Sequence, residues 1–492
     1  MSVQNAKARA GGAMPLLVQL GFAAVVGLAL IAHAGAVMNY AFTPLAAVVA
    51  AFLFARAPAS YIGFCMWLWM LTPFVRRVVD WETSYNVLSL VMLAPLLASS
   101  LSIWTLVRVG PQLINKTYAP FFAIICVCVY SLLVGFIQAG PAPALYAFLN
   151  WVTPVFVGIH ILANRQSAET FSRALFGSVS WGMLVIGCYG VWQYFSPQPW
   201  DVYWMEASQF TTAGSPFPQQ IRVYSTMNSP GPFSLMMMAG LVVLPTEGGI
   251  IRWLAAAPGF TAFMLSLVRT AWGGWAVAVG IIILFAPMKR KIVYLAIGGV
   301  LLALALPLLA VGPVAEAVQA RLDTISSLDD DVSYQERSSF YANFGATAFG
   351  APFGTGLGVT GLASRLSAPD NGLGPYGDFD SGIMDVFFTF GWAGAIVLIA
   401  TLRIVVAALM AGRQNGAAIA SAAVATSMIS MLISTDTLVG ASGMLLFPFA
   451  AMSIARAKRT ESPHVAAISR PSRVRKIQLT TGNNPRSGEA IS

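Results

Sequence analysis

The sequence predicts an all-α integral membrane protein: a polytopic helical bundle of about 12–14 transmembrane helices with two large outer loops, the second carrying surface helices. Of the 492 residues, 57% are hydrophobic and only 10% are charged, a balance that would not keep a soluble domain in solution. Unbroken apolar runs of about 20 residues recur along the chain, which is the length at which a helix crosses hydrocarbon. Strands of a membrane barrel would instead alternate polar and apolar residues.

The apolar runs divide the chain into three groups of helices separated by two polar loops. The candidate spans are 15–34, 38–55, 60–76, 86–107, 117–138, 143–163, 172–195, 230–246, 252–268, 270–287, 292–312, 382–402, 417–435 and 440–455. The predicted organisation is N-terminal transmembrane helices over 1–195, a first large loop over 196–229, central helices over 230–312, a second large loop over 313–381, C-terminal helices over 382–455 and a basic disordered tail over 456–492.

Lysine and arginine orient the predicted spans, because cytoplasmic loops carry an excess of both. With fourteen spans, the segments on the cytoplasmic side contain most of these residues, including Lys289, Arg290 and Lys291, and the tail carries many more. Among the short outer loops the exception is the Arg76-Arg77 pair, which Asp80 and Glu82 offset. Both termini are therefore expected in the cytoplasm and both large loops outside it. The net charge of +9 follows this pattern, so we expect no nucleic-acid partner.

Neither a metal nor another cofactor is expected from the sequence. The four cysteines, Cys65, Cys126, Cys128 and Cys188, all lie inside apolar runs and lack metal-ligand spacing. The three histidines are scattered along the chain. The first apolar run follows Lys7 and Arg9 without a small-residue cleavage signal, which indicates an uncleaved first span.

The first loop ends in RVYSTMNSPGPF, where Arg222 precedes a sharp turn and a helix with prolines in its first turn. The start of a helix offers backbone N–H groups and the positive end of the helix dipole, which together with an arginine form an anion site. The alternative is that Arg222 is a loop arginine that contacts lipid headgroups.

The second loop contains two helical patterns and a glycine-rich segment. Residues 314–328 have the apolar spacing of a helix lying on the membrane surface, and Asp329-Asp330-Asp331 follows as a run typical of a solvated face. A second pattern begins near Ser333 and carries Arg337, with Glu336 beside it as a supporting carboxylate. The glycines that follow predict a flexible backbone able to approach a ligand closely; they are Gly350, Gly354, Gly356 and Gly358.

Three further residues carry charge at the same predicted membrane face. Arg269 lies between two apolar runs, where it can either reach lipid headgroups or contribute to a phosphate site. Asp380 and Asp385 flank the entry to the next span, and either is a candidate general base or salt-bridge partner. Asp385 lies about one turn inside the span, where an unpaired charge is costly, so we expect it to have a partner.

Arginines and carboxylates together on one membrane face suit a lipid-linked diphosphate substrate. The lipid enters from the bilayer while the sugar stays in water, and the guanidinium fork of arginine matches phosphate oxygens. Because a sugar diphosphate is already a good leaving group, the reaction requires charge neutralisation and a base, without a metal.

Four segments resemble, in this order, the O-antigen ligase and Wzy-type polymerase superfamily of bacterial envelopes. They are RVYSTMNSPGPF, SLVRTAWGGWAVAVGIIIL, the Arg337 helix running into APFGTGLG, and DSGIMDVFFTFGWAGAIVLI, and they cover about Arg222 to Leu402. The resemblance implies an inner-membrane enzyme whose periplasmic arginines, here Arg222, Arg269 and Arg337, handle undecaprenyl-diphosphate-linked sugars. Catalytic roles are then expected for Arg222, Arg337 and Asp380, with Asp385 supporting them.

The last of these segments separates the members of the superfamily. Ligases of this family place a histidine where this chain has Asp380, ahead of Ser381. This departure favours a polysaccharide polymerase that acts beside a flippase and a chain-length regulator of the same pathway. A ligase that transfers glycan to lipid A core is the alternative within enzymes. A flippase or transporter is the alternative of another class, although it would place charged or broken helices near the membrane midplane.

Overall fold

The computed structural model describes residues 3–209, 211–246, 248–309, 350–367, 381–415 and 418–457. It confirms an all-α polytopic membrane protein. Within the described ranges, nine helical segments are long and apolar enough to cross a membrane, and four shorter apolar helices of 10–17 residues accompany them. The only strand-like pairing in these ranges is one isolated bridge between Gly214 and Ile221 in the first loop.

The helices are numbered here in the order in which the structure describes them. The first half contains α1 (Val3–Ile31), α2 (Gly35–Arg56), α3 (Pro58–Glu82), α4 (Leu93–Ser100), α5 (Trp104–Val109), α6 (Ala119–Gln138), α7 (Pro141–Ala163), α8 (Ala168–Phe195) and α9 (Pro199–Ser208). The second half contains α10 (Pro230–Val243), α11 (Ile251–Leu265), α12 (Arg269–Phe285), α13 (Met288–Leu309), α14 (Gly361–Ser364), α15 (Gly382–Phe390), α16 (Gly394–Gln414), α17 (Ile419–Ser430) and α18 (Gly440–Ala457).

Each of the fourteen predicted spans falls on a described helical segment. Short 3₁₀ turns join α4 and α5 into the span Leu90–Gln112, and they also join α15 and α16 across a break at Gly391. Proline stands in the first or second position of five helices, namely α3, α6, α7, α9 and α10, where its missing N–H costs no helical hydrogen bond. The helix with prolines in its first turn that was predicted after Arg222 is thus confirmed as α10.

The structure differs from the prediction in three ways that bear on the site. The third span does not end at residue 76 but continues to Glu82, so Arg76, Arg77 and Asp80 lie on a helix and not in a loop. The span that begins at 382 continues to Gln414, which places Arg403 inside a helix. The first loop contains the helix α9, which the sequence analysis did not predict. The two helical patterns predicted within 314–349 lie outside the described residues, as does the tail from 458.

Consecutive spans alternate in direction, so the first loop (196–229) and residues 350–367 lie at the same end of the bundle. We call this end the loop face. The last turns of α3, α6 and α8 and the first turns of α7, α10, α12 and α15 all belong to it.

Small residues bring the helices of the bundle close together. A Cβ atom built on Gly187 of α8 would lie 2.9 Å from the Cα atom of Gly259 in α11, so these helices touch through backbone. A Cβ atom built on Gly443 of α18 would lie 2.9 Å from the ring of Pro154 in α7, so a side chain at this position would also separate two helices. Helix α18 is the most enclosed span, with 89% of its apolar window buried, whereas the first span has 6% buried and faces lipid. The core of the bundle therefore forms around α18.

Candidate active site at the loop face

The first loop does not stay at the surface, because its last residues descend into the bundle. We call residues 221–229 the descending segment. The hydroxyl of Thr226 donates to the carbonyl of Met70 in α3 at 2.8 Å, next to Pro73, which interrupts the backbone ladder of that helix. Met70 lies twelve positions before Glu82, the last residue of α3, or about 18 Å below the end of the helix at 1.5 Å per residue. Helix α10 therefore begins in a recess, which explains why it has only 14 residues.

The descending segment is held mainly through its backbone. Oε1 of the buried Gln193 in α8 accepts the N–H groups of Tyr224 at 3.2 Å and Ser225 at 2.8 Å. The N–H of Val223 donates to the carbonyl of Leu265, at the end of α11, at 3.1 Å. Ser225 has a φ of 53°, a left-handed conformation that this network maintains. The segment thus has one fixed path between α8 and α11.

A buried ion pair fixes the loop from its other side. Arg77 of α3 and Asp201 of α9 both have fully buried side chains, and Nη1 lies 2.5 Å from Oδ1. The other carboxylate oxygen accepts the hydroxyl of Tyr189 at 2.7 Å, and Trp200 donates its indole N–H to that same hydroxyl. Tyr224 of the descending segment stacks on the guanidinium, 4.9 Å from its ring centroid. Burial raises the pKa of the Tyr224 phenol, which stays neutral and donates to the Asp201 carbonyl.

Sequence reasoning did not predict this ion pair. Asp80 and Glu82 were expected to offset both arginines, whereas Asp80 pairs only with Arg76, one helical turn away, at 3.2 Å. The partner of Arg77 is 124 residues further along the chain. The available signal was Asp201 itself, an acidic residue placed after a proline in the aromatic stretch PWDVYWM. A carboxylate in the first turn of a helix is stabilised by the positive end of the helix dipole, so PWDVYWM indicates a short helix start.

Arg222 binds the turn between α11 and α12, and Arg269 follows that turn as the first residue of α12. Arg222 donates from Nε to the carbonyl of Ser266 at 3.3 Å, from Nη2 to that of Leu267 at 3.2 Å and from Nη1 to that of Thr212 at 2.9 Å. Arg269, two residues after Leu267, is half-buried and begins α12. The structure therefore places the Arg222 guanidinium against the turn that leads into Arg269 and the positive end of the α12 dipole, an arrangement that attracts anions.

Asp385 lies in the first turn of α15 and is half-buried. Its Oδ1 accepts the hydroxyl of Thr360 at 3.2 Å and the hydroxyl of Thr389, one turn along the same helix, at 3.1 Å. Thr360 belongs to residues 350–367, so this carboxylate connects the second loop to the start of the span. The sequence predicted that Asp385 has a partner, and the hydroxyl groups of Thr360 and Thr389 are two such partners.

The glycines of the second loop have a different role from the one expected. Gly354, Gly356 and Gly358 have φ values of 71°, 85° and 95°, which favour glycine. A Cβ atom on Gly354 would lie 2.5 Å from the backbone nitrogen of Gly391, and one on Gly356 would lie 2.4 Å from that of Gly135. These glycines therefore approach the protein's own backbone closely. A side chain would not fit, because residues 354–358 pass between α6, α7 and the α15–α16 break.

The remaining predicted site residues lie outside the described residues; they are Glu336, Arg337 and Asp380. Of the others, Arg222 contacts the turn that precedes Arg269, and Asp385 lies at the same face. In the described ranges, no group of three or more histidine, cysteine, aspartate or glutamate side chains is placed to hold a metal ion. No family model matches the chain, and the search of curated proteins finds no similar sequence.

Proposed function

We propose that this protein is a polysaccharide polymerase of the bacterial inner membrane. It transfers a growing O-antigen or exopolysaccharide chain from undecaprenyl diphosphate to the non-reducing hydroxyl of a lipid-linked repeat unit at the periplasmic face. The observation that carries this proposal is the contact of Arg222 with the turn that leads into Arg269 at the start of α12, on the rim of an apolar bundle. A lipid-linked diphosphate requires both features, a hydrocarbon surface for its tail and a cationic rim for its phosphates.

The donor diphosphate gains negative charge as it leaves the sugar. The acceptor hydroxyl attacks the anomeric carbon, the bond from that carbon to the diphosphate oxygen breaks, and the hydroxyl proton passes to a base. Arginine stays charged at any working pH, and its planar fork matches phosphate oxygens. A donor fixed in advance at the position of a developing charge contributes about 3–4 kcal/mol to lowering the barrier. Arg222 is fixed in this way by three backbone carbonyls.

The proposed base comes from the second loop. A sugar hydroxyl is a weak nucleophile until a nearby carboxylate takes its proton. We assign this role, or that of orienting the acceptor, to Asp380, and diphosphate binding to Arg337, with Glu336 supporting it. Asp385 supports the same region, because its contact with Thr360 connects the second loop to α15. The acceptor and the donor then meet between the two loops.

The distribution of charge supports the proposed orientation, with both termini in the cytoplasm. Lys289 and Lys291 at the start of α13 and Arg413 at the end of α16 lie at the end of the bundle opposite the loop face. Cytoplasmic segments carry such an excess of positive residues. The loop face is then periplasmic, where flipped lipid-linked repeat units arrive. A flippase and a chain-length regulator of the same pathway are the expected partners.

Purified protein and one synthetic undecaprenyl-diphosphate repeat unit test the proposal. Formation of a ladder of longer lipid-linked glycans, with release of undecaprenyl diphosphate, is expected without any other component. If no ladder forms and glycan is transferred only when lipid A core is added, as a single conjugate, the enzyme is a ligase. If the lipid crosses a vesicle membrane without a new glycosidic bond, the protein is a flippase. Either of these results overturns the polymerase proposal.

A further inference from the structure

The ion pair between Arg77 and Asp201 is costly, and the stability of the fold does not explain it. Removing two charges from water costs several kcal/mol per ion, and apolar residues of similar volume are often equally stabilising or better. Both of these side chains are nevertheless fully buried. A pair of this kind is best explained by what its geometry connects.

Arg77 connects α9 to the descending segment. One edge of its guanidinium binds Asp201, and Nη2 donates to the carbonyl of Ser225. Ser225 lies three residues after Arg222, a separation of at most about 10 Å in an extended chain. On the other side of the same stretch, the N–H of Arg222 donates to the carbonyl of Ala213 at 2.8 Å. Arg77 is thus one of several anchors on the stretch that carries Arg222, beside Gln193 and the carbonyls of Leu265 and Ala213.

We propose that Arg77 is a positioning residue, which with Asp201 fixes the descending segment so that Arg222 stays on the α11–α12 turn. The inference rests on the proposed role of Arg222 as a diphosphate-binding residue. The side chain at position 77 must bind the Asp201 carboxylate and the Ser225 carbonyl together while it stacks on Tyr224. Only a planar group with two hydrogen-bonding edges, such as guanidinium, can do this. A lysine supplies the charge for Asp201 without the second edge.

The neighbouring Arg76 provides a matched control. It also lies on α3, pairs with Asp80, and contacts α9 by stacking on Trp204 at 4.7 Å. Its backbone bond at 2.6 Å goes to the carbonyl of Asn86, outside the descending segment. Changes at Arg76 therefore disturb the contact between α3 and α9 without removing an anchor of Ser225.

The test combines a spin label on the loop with turnover measurements. A label is placed at the exposed Gln220, two residues before Arg222, in a background in which the exposed Cys126 and Cys188 are serine. The protein is reconstituted in lipid nanodiscs. Arg77→Lys keeps the ion pair with Asp201, so the melting temperature is expected to stay near that of the parent. The label is expected to become more mobile, and kcat for glycan transfer to fall about 10–100-fold with a smaller change in KM.

A double variant, R77M/D201M, removes the pair without leaving an unpaired charge and is expected to show the same two changes. The control R76M/D80M is expected to keep the parental label mobility. A parental label spectrum in a folded Arg77→Lys protein overturns the inference, and so does a mobile label with unchanged turnover. If the parent itself transfers no glycan, the proposed function fails, while label mobility still decides whether Arg77 positions the segment.

Discussion

Replacing Gly356 with alanine should release residues 350–367 from the loop face. Gly356 has a φ of 85°, and a Cβ atom there would lie 2.4 Å from the backbone nitrogen of Gly135 in α6. The N–H of Gly356 donates to the carbonyl of Thr389, and that of Leu357 donates to the carbonyl of Ser131, each at 3.1 Å. These two bonds are among those that attach the segment to α6 and α15.

The magnitude follows from three contributions. A left-handed backbone costs an alanine about 1–2 kcal/mol relative to glycine. Relief of the overlap requires a displacement of about 1 Å, because ordinary contact begins at 3.4 Å and the obstacle is helix backbone. Such a displacement weakens two hydrogen bonds worth about 0.5–1.5 kcal/mol each. The docked state therefore loses about 2–5 kcal/mol, which raises the undocked fraction at least about 30-fold.

Hydrogen exchange of the protein in nanodiscs measures this change. Gly350→Ala is the matched control, because a Cβ atom there would have no neighbour within 4 Å. Peptides covering 350–367 should exchange faster in Gly356→Ala than in the parent, and not in the control. Glycan transfer should fall as well, since the segment carries Thr360 to Asp385. Equal exchange in the two alanine variants would refute the docking geometry.

Three further predictions concern the charges and the orientation of the bundle. Arg222→Ala should reduce glycan transfer about 10²–10³-fold at equal protein level. Arg222→Lys should restore little activity, because lysine supplies the charge without the planar guanidinium fork. Near-normal polymer in both variants would instead assign Arg222 to the anchoring of lipid headgroups. Asp385→Asn should weaken the attachment of the second loop, seen as faster exchange at Thr360, and unchanged exchange would contradict the contact. Cysteines introduced at Ser215 and Ser367 should react with a membrane-impermeant reagent added on one side of the membrane, and a cysteine introduced at Lys289 should react only when the reagent is added on the other side. Labelling of all three positions from the same side would contradict the proposed topology.

The spans were predictable because their signals are local. An apolar run of sufficient length forms a helix wherever it is placed in a bilayer, and a proline such as Pro230 marks a helix start through its own geometry. The expected partner of Asp385 also followed from the cost of a charge near hydrocarbon. One of its partners, Thr389, lies a single turn away on the same helix, and so was within reach of sequence reasoning.

The contacts that build the site were not predictable in the same way. Arg77 and Asp201 are separated by four spans, and their pairing depends on α9, a helix too short to give a hydropathy signal. The glycine spacing around Gly356 predicted a backbone segment that approaches another group closely, but it did not identify that group as the backbone of α6. Arg222 was identified as an anion-binding candidate, whereas its contacts with the α11–α12 turn depend on tertiary packing.

The central claim is that the loop face binds a lipid-linked diphosphate between Arg222 and Arg269, and photocrosslinking tests it most directly. A photoreactive undecaprenyl-diphosphate analogue, with the reactive group beside the phosphates, is irradiated with the protein in nanodiscs, and the labelled peptides are identified by mass spectrometry. The account predicts labelling within 211–225 and 266–272. Excess unlabelled lipid diphosphate should compete with this labelling, and Arg222→Ala should reduce it. Labelling confined to the opposite end of the bundle, or labelling that unlabelled lipid does not reduce, would contradict it.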